Sequence, residues 1–207
     1  NNKTGKSKIK KKINSKNLKS NEILQQLSTN TKAYKNIDVD FDFKFENTTQ
    51  GISENQKGNI KINSNKFRLE LNQQIIISDD TTQWIYLKES NELQIMEYDS
   101  LDDMISPNKL FTIYEEGYKN SYVELKNEGD ITLHIIDLFP IESNAFQKIQ
   151  LQINSEKIQL HNIILFDKNG GSFTYLITTF SVDNNLDDNL FKFKSEEYPE
   201  IEIIDLR

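Results

Sequence analysis

Histidine and cysteine are the side chains that most often act as catalytic bases, nucleophiles or metal ligands, and this chain of 207 residues has two histidines and no cysteine. The lack of cysteine excludes thiol catalysis, disulfides and thiolate metal sites. His134 and His161 lie in separate runs of alternating apolar and polar residues, which is typical of β-strands. Because neither histidine belongs to a close-spaced ligand pair, we predict neither catalysis nor a zinc site at these positions.

Clusters of acidic residues could bind calcium, and such clusters occur at 79–80, 101–103 and 187–189. None of them has the alternating ligands and the closing glutamate of a calcium loop, so we interpret them as turns and helix caps. The seven glycines form no phosphate-binding loop. The sequence therefore predicts a protein that is not an enzyme and that uses no metal and no cofactor.

Charge is unevenly divided along the chain. The whole chain carries −7 and its first 20 residues contain eight lysines and no acid, so the remainder carries −15. An acidic body of this kind excludes nucleic acid as a partner. We predict that residues 1–19 form a disordered basic tail, which is either a solvated extension without a role or a segment that contacts anionic membranes transiently.

The sequence contains no apolar stretch of the length, about 18 residues or more, that a membrane-spanning helix needs. The lysine-rich start is not followed by the apolar core of a signal peptide. Because the first residue is Asn1 rather than Met, we expect that an export signal has been removed or lies outside these residues.

The first regular element that the sequence predicts is an amphipathic helix beginning near Ser20. Ile23, Leu24 and Leu27 recur at the three- and four-residue spacing of one helix face. Ser20 is placed to cap the helix with its hydroxyl. Residues 20–207 are predicted to form a single domain.

A period of two replaces the helical period from residue 38 onward. Phe41, Phe43 and Phe45 alternate with charged residues in DVDFDFKFEN (38–47), so their rings share one side of a strand. Similar runs separated by turn residues predict about eleven antiparallel strands, which end with a strand at FKFKS (191–195).

An insertion interrupts the strands over residues 99–121. Pro107 could begin a short helix that carries Leu110 and Phe111 on one side, with Gly117 just past its end. This insertion and the N-terminal helix are the predicted covers for one apolar face of a long sheet. Two arrangements fit such a sheet: it curls around a packed core, or it curls around a cavity that holds an apolar ligand.

The order of these elements resembles that of the LolA-type carriers of outer-membrane lipoproteins, and most closely a Bacteroidetes branch of them. The segments that carry the resemblance are ILQQLSTNTKAYKNIDVDFDFKFEN (23–47), GNIKI (58–62), NKFRLEL (65–71), DDTTQWIYLKESNELQI (79–95), SPNKLF (106–111), FDKNGGSFTYLITTF (166–180) and LFKFK (190–194). The resemblance implies a mainly β fold, an unclosed antiparallel β-barrel of about eleven strands with an N-terminal helix and a short helical lid over a hydrophobic cavity.

The resemblance also implies a function. A protein of this kind is a monomeric periplasmic carrier of Gram-negative bacteria. It accepts the acyl chains of lipoproteins from an inner-membrane ABC-type release complex and shuttles the lipoproteins to an acceptor at the outer membrane. An alternative on the same scaffold is a periplasmic module that senses lipid or lipoprotein and regulates a membrane partner.

Ten side chains on the predicted strands are expected to line the acyl-chain cavity, and Leu110 and Phe111 are expected to belong to the lid. The ten are Phe41, Phe43, Phe45, Ile60, Ile62, Phe67, Leu69, Leu71, Trp84 and Tyr86.

The sequence departs from the family pattern at the lid latch. The family's arginine–proline pair is replaced here by INSNKF (62–67), and its Asp-Gly turn before the tryptophan reads DDTTQW (79–84). Arg68 follows closely, but alternation places it on the opposite side of its strand from Phe67 and Leu69. We therefore expect Arg68 outside the cavity and do not assign the latch to it.

Overall fold

The computed structural model describes residues 3–98 and 107–207, and it describes side chains from residue 16 onward. Helix α1 spans Lys3–Ala33, and short 3-10 helices span Pro107–Phe111, Asp188–Phe191 and Ser195–Glu197. The strands of the described residues are β1 (Ile37–Asn47), β2 (Ile52–Asn63), β3 (Lys66–Leu71), β4 (Gln74–Ser78), β5 (Thr82–Leu87), β6 (Glu92–Glu97), β7 (Tyr118–Glu128), β8 (Ile131–Pro140), β9 (Phe146–Asn154), β10 (Gln159–Asp167), β11 (Gly171–Val182) and β12 (Glu202–Asp205).

These twelve strands form one sheet in the order β12-β6-β5-β4-β3-β2-β1-β11-β10-β9-β8-β7. Hairpin neighbours such as β4 and β5 are antiparallel, whereas β12 runs parallel to β6. The sheet does not close, because β12 and β7 are its two ends. The predicted fold class is confirmed: the chain is mainly β, with an unclosed sheet and an N-terminal helix.

The chain divides into two compact units. Unit 1 comprises Asn1–Ala33, Phe45–Ser53 and Phe111–Leu176, and unit 2 comprises Tyr34–Lys44, Glu54–Leu110 and Ile177–Arg207. The sequence predicted a single domain over 20–207 from the length of the chain.

Helix α1 begins much earlier than the sequence predicted. Residues 3–19, which we expected to be a disordered tail, are helical and continue directly to Ala33. Lysine is a good helix former, and neither proline nor glycine occurs in the helix after Gly5. We did not predict this part of the helix because its high positive charge is also typical of disordered segments.

Ser20 lies inside helix α1 rather than at its cap. Its side chain is fully buried, and its hydroxyl lies 3.0 Å from the carbonyl oxygen of Asn17 and 2.5 Å from Oδ1 of Asn120 on β7. The predicted apolar stripe is confirmed, since its three residues are buried: Ile23, Leu24 and Leu27.

Unit 1 has an apolar row across its strands. Leu138 lies opposite Ile149, Ile149 lies opposite Leu165, and all three are at most 2% exposed. Asn120 also lies opposite Leu138. Because directly opposite residues point to the same side of a sheet, helix α1, which contacts Asn120, lies over this row.

The insertion and the C-terminus agree only in part with the prediction. Pro107–Phe111 forms the expected short helix and Gly117 follows with φ +83, while residues 99–106 lie outside the described residues.

The expected strand at 191–195 is wrong, because 3-10 helices occupy 188–191 and 195–197 and the final strand is β12 instead. We call residues 188–201 the C-terminal strap.

Gly58 on β2 permits a close approach of two apolar side chains in unit 2. A Cβ atom at Gly58 would clash with the ring of Phe41 and would lie 2.9 Å from Cδ2 of Leu71. Phe41, Gly58 and Leu71 therefore share one side of the sheet, and the missing side chain at Gly58 is what allows Phe41 to be buried.

We predict that Gly58→Ala lowers the free energy of unfolding by about 1–3 kcal/mol, because the added methyl overpacks the contact with Phe41. Chemical denaturation measures the change. Phe41→Leu replaces the ring that the added methyl would meet. The double variant should therefore be more stable, by about 0.5 kcal/mol or more, than the sum of the two single changes in unfolding free energy would give. Strict additivity of the two changes would contradict this packing.

Candidate functional site

Cross-strand register defines which side chains of unit 2 share a face. Ile60 lies opposite Leu69, Leu69 lies opposite Ile76, and Ile76 lies opposite Ile85. These four side chains therefore form a continuous row on one side of β2, β3, β4 and β5. We call this side of the sheet in unit 2 the open face.

The open face is apolar over β2 and β3 and only partly covered, and over β4, β5 and β6 it also carries Ser78, Gln83 and Gln94. Phe67 is 0% and Ile60 is 2% exposed, so the packing is tight at those two residues. Farther along the same face the apolar side chains remain half-buried. These half-buried residues are Leu69, Leu71, Ile76, Ile85, Leu87 and Met96.

The other side of β4, β5 and β6 is apolar as well, and another part of the chain packs against it. Ile75, Ile77, Tyr86 and Leu93 form a buried cluster there. The C-terminal strap covers the cluster with Phe193, Tyr198 and Ile201. We call this side the sealed face.

Trp84 and Tyr86 lie on the sealed face, so their predicted place beside Phe67 and Leu69 is wrong. Trp84 lies opposite Ile77, which in turn lies opposite Arg68 on the reverse side of β3. The Tyr86 ring centroid lies 4.5 Å from that of Tyr198 in the strap. These two aromatics hold the C-terminus in place and do not face the predicted cavity.

The remaining predicted residues of unit 2 do share the open face. Phe41 joins it through its contact at Gly58, and alternation along β1 places Phe43 on the same side. Register places the others there: Ile60, Ile62, Phe67, Leu69 and Leu71. The sequence prediction missed four apolar members of the face, which are Ile76, Ile85, Leu87 and Met96.

Phe45 belongs to an aromatic group in unit 1. Its ring centroid lies 4.9 Å from that of Phe173, and Phe173 in turn contacts Phe146 edge to face at 6.2 Å. Tyr175 follows on the same side of β11, and burial raises the pKa of its hydroxyl to about 12. Tyr175 is therefore neutral at physiological pH, and this group adds no charge to its surroundings.

The two predicted lid residues occur at the end of the short helix Pro107–Phe111. Phe111 is 5% exposed, and Leu110 is half-buried. Phe111 belongs to unit 1, whereas Leu110 belongs to unit 2. Their role as a lid remains a prediction.

A groove of about 820 Å³ opens in unit 2 beside Phe41, Gly58 and Leu71. Charged side chains form its rim. They are Asp40, Asp42, Lys57, Glu70 and Lys88. Of the residues that line it, Phe41 and Leu71 are the large apolar ones, so the groove is a mainly polar opening next to the open face.

Arg68 lies outside the open face, as its position in the strand predicted. Its Nε donates to Oε1 of Glu70 at 2.6 Å, and its Nη1 lies 3.5 Å from the carbonyl oxygen of Leu190 in the strap. Arg68 therefore connects β3 to the strap on the sealed side of the sheet.

The histidines offer little reactive chemistry. His134 Nδ1 lies 3.1 Å from the Tyr122 hydroxyl, and partial burial together with Lys19 lowers the pKa of its imidazole. Among residues 3–98 and 107–207, no group of three His, Asp or Glu side chains could hold a metal ion. Within the same residues, no helix is both long and apolar enough to span a bilayer.

Solved structures are similar to this one at low sequence identity. An uncharacterized conserved protein from Thermus thermophilus superposes with a TM-score of 0.59 and 12% identity, over 90% of this chain and 99% of that one. A putative outer membrane lipoprotein-sorting protein domain from Vibrio parahaemolyticus gives a TM-score of 0.48 and 11% identity, over 83% and 95% of the two chains. Lipoprotein LppX from Mycobacterium tuberculosis gives 0.47 and 11%, over 80% and 97%.

The sequence itself identifies the family. No curated protein matches this sequence significantly, but residues 30–194 match the family described as "Outer membrane lipoprotein carrier protein LolA". That match includes all of β1–β11 and the start of the C-terminal strap. The chain therefore belongs to the LolA family.

Proposed function

We propose that this protein is a periplasmic carrier that binds the acyl chains of lipoproteins and shuttles lipoproteins from the inner to the outer membrane. The observation that supports this most strongly is the contrast between the two faces of unit 2. On the sealed face the strap packs against a buried cluster, whereas the open face has six half-buried aliphatic side chains. Acyl chains would complete the cover of the open face.

The magnitude of the hydrophobic effect makes such a carrier necessary. Each methylene group of an acyl chain costs about 0.8 kcal/mol when it is exposed to water. A lipoprotein with several chains therefore does not leave a membrane unless another apolar surface replaces the lipid. The open face supplies side chains of the right chemistry, and flexible residues such as Met96 can adapt to chains that differ in length.

Release requires that the face does not hold its ligand too tightly. Protein cores reach the packing density of organic crystals, and binding at that density would resist exchange. The half-buried aliphatic residues provide contact without such close packing. Transfer from the donor to the carrier, and from the carrier to the acceptor, then depends on how the affinities of these three proteins for the lipoprotein differ.

The proposed partners follow from this role. The cargo is an acylated lipoprotein, the donor is an inner-membrane ABC-type release complex, and an outer-membrane acceptor receives the cargo. The groove beside Phe41 and Leu71, with its charged rim, is where we place the junction between the acyl chains and the polar part of the cargo. The protein needs no catalytic group or cofactor for this task.

The test of acyl binding compares a triacylated lipopeptide with the same peptide without acyl chains. We expect the purified protein to keep the lipopeptide in solution after centrifugation and to leave the unacylated peptide unbound. Ile85→Asp should lower the soluble fraction about tenfold or more, because an unpaired carboxylate on the open face opposes apolar burial. Equal binding of both peptides would contradict acyl recognition.

The matched control is Ile141→Asp, which adds the same charge at a side chain that is 60% exposed. This variant should keep the lipopeptide soluble as well as the parent does. Loaded protein is then mixed with acceptor vesicles. Movement of the lipopeptide into the vesicles supports a carrier, whereas retention on the protein would indicate a sensor and contradict carriage.

Trp84 provides a second test, because it is the single tryptophan of the chain and lies on the sealed face. Bromine atoms quench tryptophan only at short range. We predict that a lipopeptide with brominated acyl chains leaves Trp84 fluorescence nearly unchanged. The variant Trp84→Phe/Ile85→Trp moves the fluorophore to the open face, and its emission should fall severalfold. Strong quenching of Trp84 in the parent protein would contradict the assignment of the faces.

A further inference from the structure

Strand β7 of unit 1 is one end of the sheet, and its second half is exposed. Tyr122, near the middle of the strand, is 6% exposed, and Lys19 of helix α1 lies over it, with Nζ 4.3 Å from the ring centroid. From Val123 to Glu128 every residue of β7 is exposed. We call residues 123–128 the exposed edge.

A hydrogen bond on the neighbouring strand β8 shows how the backbone of the exposed edge is oriented. In antiparallel strands both backbone polar groups of a residue point to the same neighbouring strand, and successive residues alternate. The N–H of Ser155, directly after β9, donates to the carbonyl oxygen of Thr132 at 2.9 Å. Thr132 therefore points to β9, and Leu133 points to β7.

The same alternation continues on β7. Leu133 lies opposite Lys126, so the backbone groups of Lys126 point to β8. The backbone groups of Leu125 and Asn127 consequently point away from β8, to the side where the sheet ends. An additional strand binds to donors and acceptors that alternate in this way.

Helix α1 marks where the exposed edge begins. The register between β7 and β8 shifts at Val123, and the carbonyl oxygen of Val123 accepts a hydrogen bond from Lys16 Nζ at 3.1 Å. Lys16 and Lys19 therefore place two positive charges at the start of the exposed edge.

The side chains on one side of the exposed edge are apolar and basic. Tyr122 lies opposite Ile136, and Leu125 lies opposite His134. Because Ile136 and His134 are two residues apart on β8, Tyr122 and Leu125 share one side of the sheet. Leu125 is 52% exposed, and Lys19 is on its side, over Tyr122.

The other side of the exposed edge carries Glu124, Lys126 and Glu128. Lys126 Nζ lies 2.8 Å from Oε2 of Glu128, and both side chains are about half exposed. An exposed ion pair of this kind contributes little to stability. Lys126 is therefore available to an acidic side chain on an added strand.

We propose that the exposed edge binds an extended acidic segment of another polypeptide as an additional strand of the sheet. An apolar side chain of that segment lies opposite Leu125, one acidic side chain lies opposite Lys126, and a second acidic side chain lies near Lys16 and Lys19. The outward backbone groups of the exposed edge supply about four hydrogen bonds to the added strand.

The backbone of the exposed edge favours a polypeptide as the occupant, because neither a bilayer nor a nucleic acid offers donors and acceptors in register with a strand. A second copy of this chain is less suitable. Antiparallel pairing of two copies about Leu125 would bring Lys16 and Lys19 of both copies to the same side of the joined sheet, where they repel each other. The open face belongs to unit 2, so this binding is independent of the proposed carriage of lipoproteins.

Amide hydrogen exchange, read residue by residue by NMR, tests the proposal on the full chain. In the free protein we expect the amides of Leu125 and Asn127 to exchange about tenfold faster, or more, than that of Lys126. The probe is the peptide TTDVTDT with blocked ends. At a concentration about tenfold above its Kd, it should slow exchange at Leu125 and Asn127 about tenfold. The control peptide TTKVTKT should give no protection at the same concentration.

Two variants of Asn127 separate backbone pairing from side-chain contact. Asn127→Pro removes an outward donor at a position where an edge strand tolerates proline, and it should weaken binding of TTDVTDT about tenfold or more. Asn127→Ala removes the same side chain but keeps the N–H, and it should bind as the parent does. Circular dichroism confirms that both variants are folded.

A charge reversal tests the acidic character of the partner. Lys126→Glu should weaken binding of TTDVTDT about fivefold. The matched control is Lys168→Glu, which makes the same change at an exposed residue of the turn between β10 and β11 and should leave binding unchanged. Equal binding of the two peptides, equal loss in both Asn127 variants, no protection by TTDVTDT at millimolar concentration, or protection of the exposed edge by dimerisation without peptide would overturn the proposal.

Discussion

Strand β4 carries Ile75, Ile76 and Ile77 in succession, and a strand sends alternate side chains to opposite sides of its sheet. The sheet of unit 2 is consequently apolar on both sides at this strand. Each side needs a cover, since exposed apolar area costs about 25 cal/mol per Å². The remaining features of unit 2 depend on how these two covers are supplied.

The chain itself covers one side. The C-terminal strap packs Phe193, Tyr198 and Ile201 against the cluster that contains Ile75 and Ile77. Strand β12 then anchors the end of the chain beside β6. On the other side, Phe67 is fully buried, but Ile76 and its neighbours along the open face stay half-buried. The side that the chain leaves partly open is the side on which we propose that an acyl ligand is bound and released.

Much of the fold could be predicted from local sequence patterns. The period of two predicted the long sheet, the stripe of Ile23, Leu24 and Leu27 predicted the buried side of α1, and Pro107 predicted a short helix. These features depend on neighbours within a few residues. The start of α1 was missed because its lysines looked like a solvated tail, although the backbone of such a segment can be helical without a buried face.

The site was harder to predict because it depends on register between strands. In a hairpin with a two-residue turn, an odd-numbered residue lies opposite an even-numbered one. If the odd-numbered residues of one strand lie on a given face, the even-numbered residues of the next strand therefore lie on that face. Because β4 has three successive isoleucines, its sequence does not show which residue numbers lie on which face. Trp84 and Tyr86 were therefore assigned to the wrong face, while Ile76 and Ile85 were missed. The turn lengths in the sequence were the signal that could have corrected both errors.

The central claim is that the two sides of one sheet differ in access to acyl chains. Nuclear Overhauser effects between a palmitoylated lipopeptide and isotope-labelled isoleucine methyl groups measure this most directly, because the three isoleucines of β4 report on both sides. We expect contacts from the acyl chain to Ile76 and none to Ile75 or Ile77. Contacts to Ile75 or Ile77, or the absence of contacts to Ile76 in the loaded protein, would contradict the account.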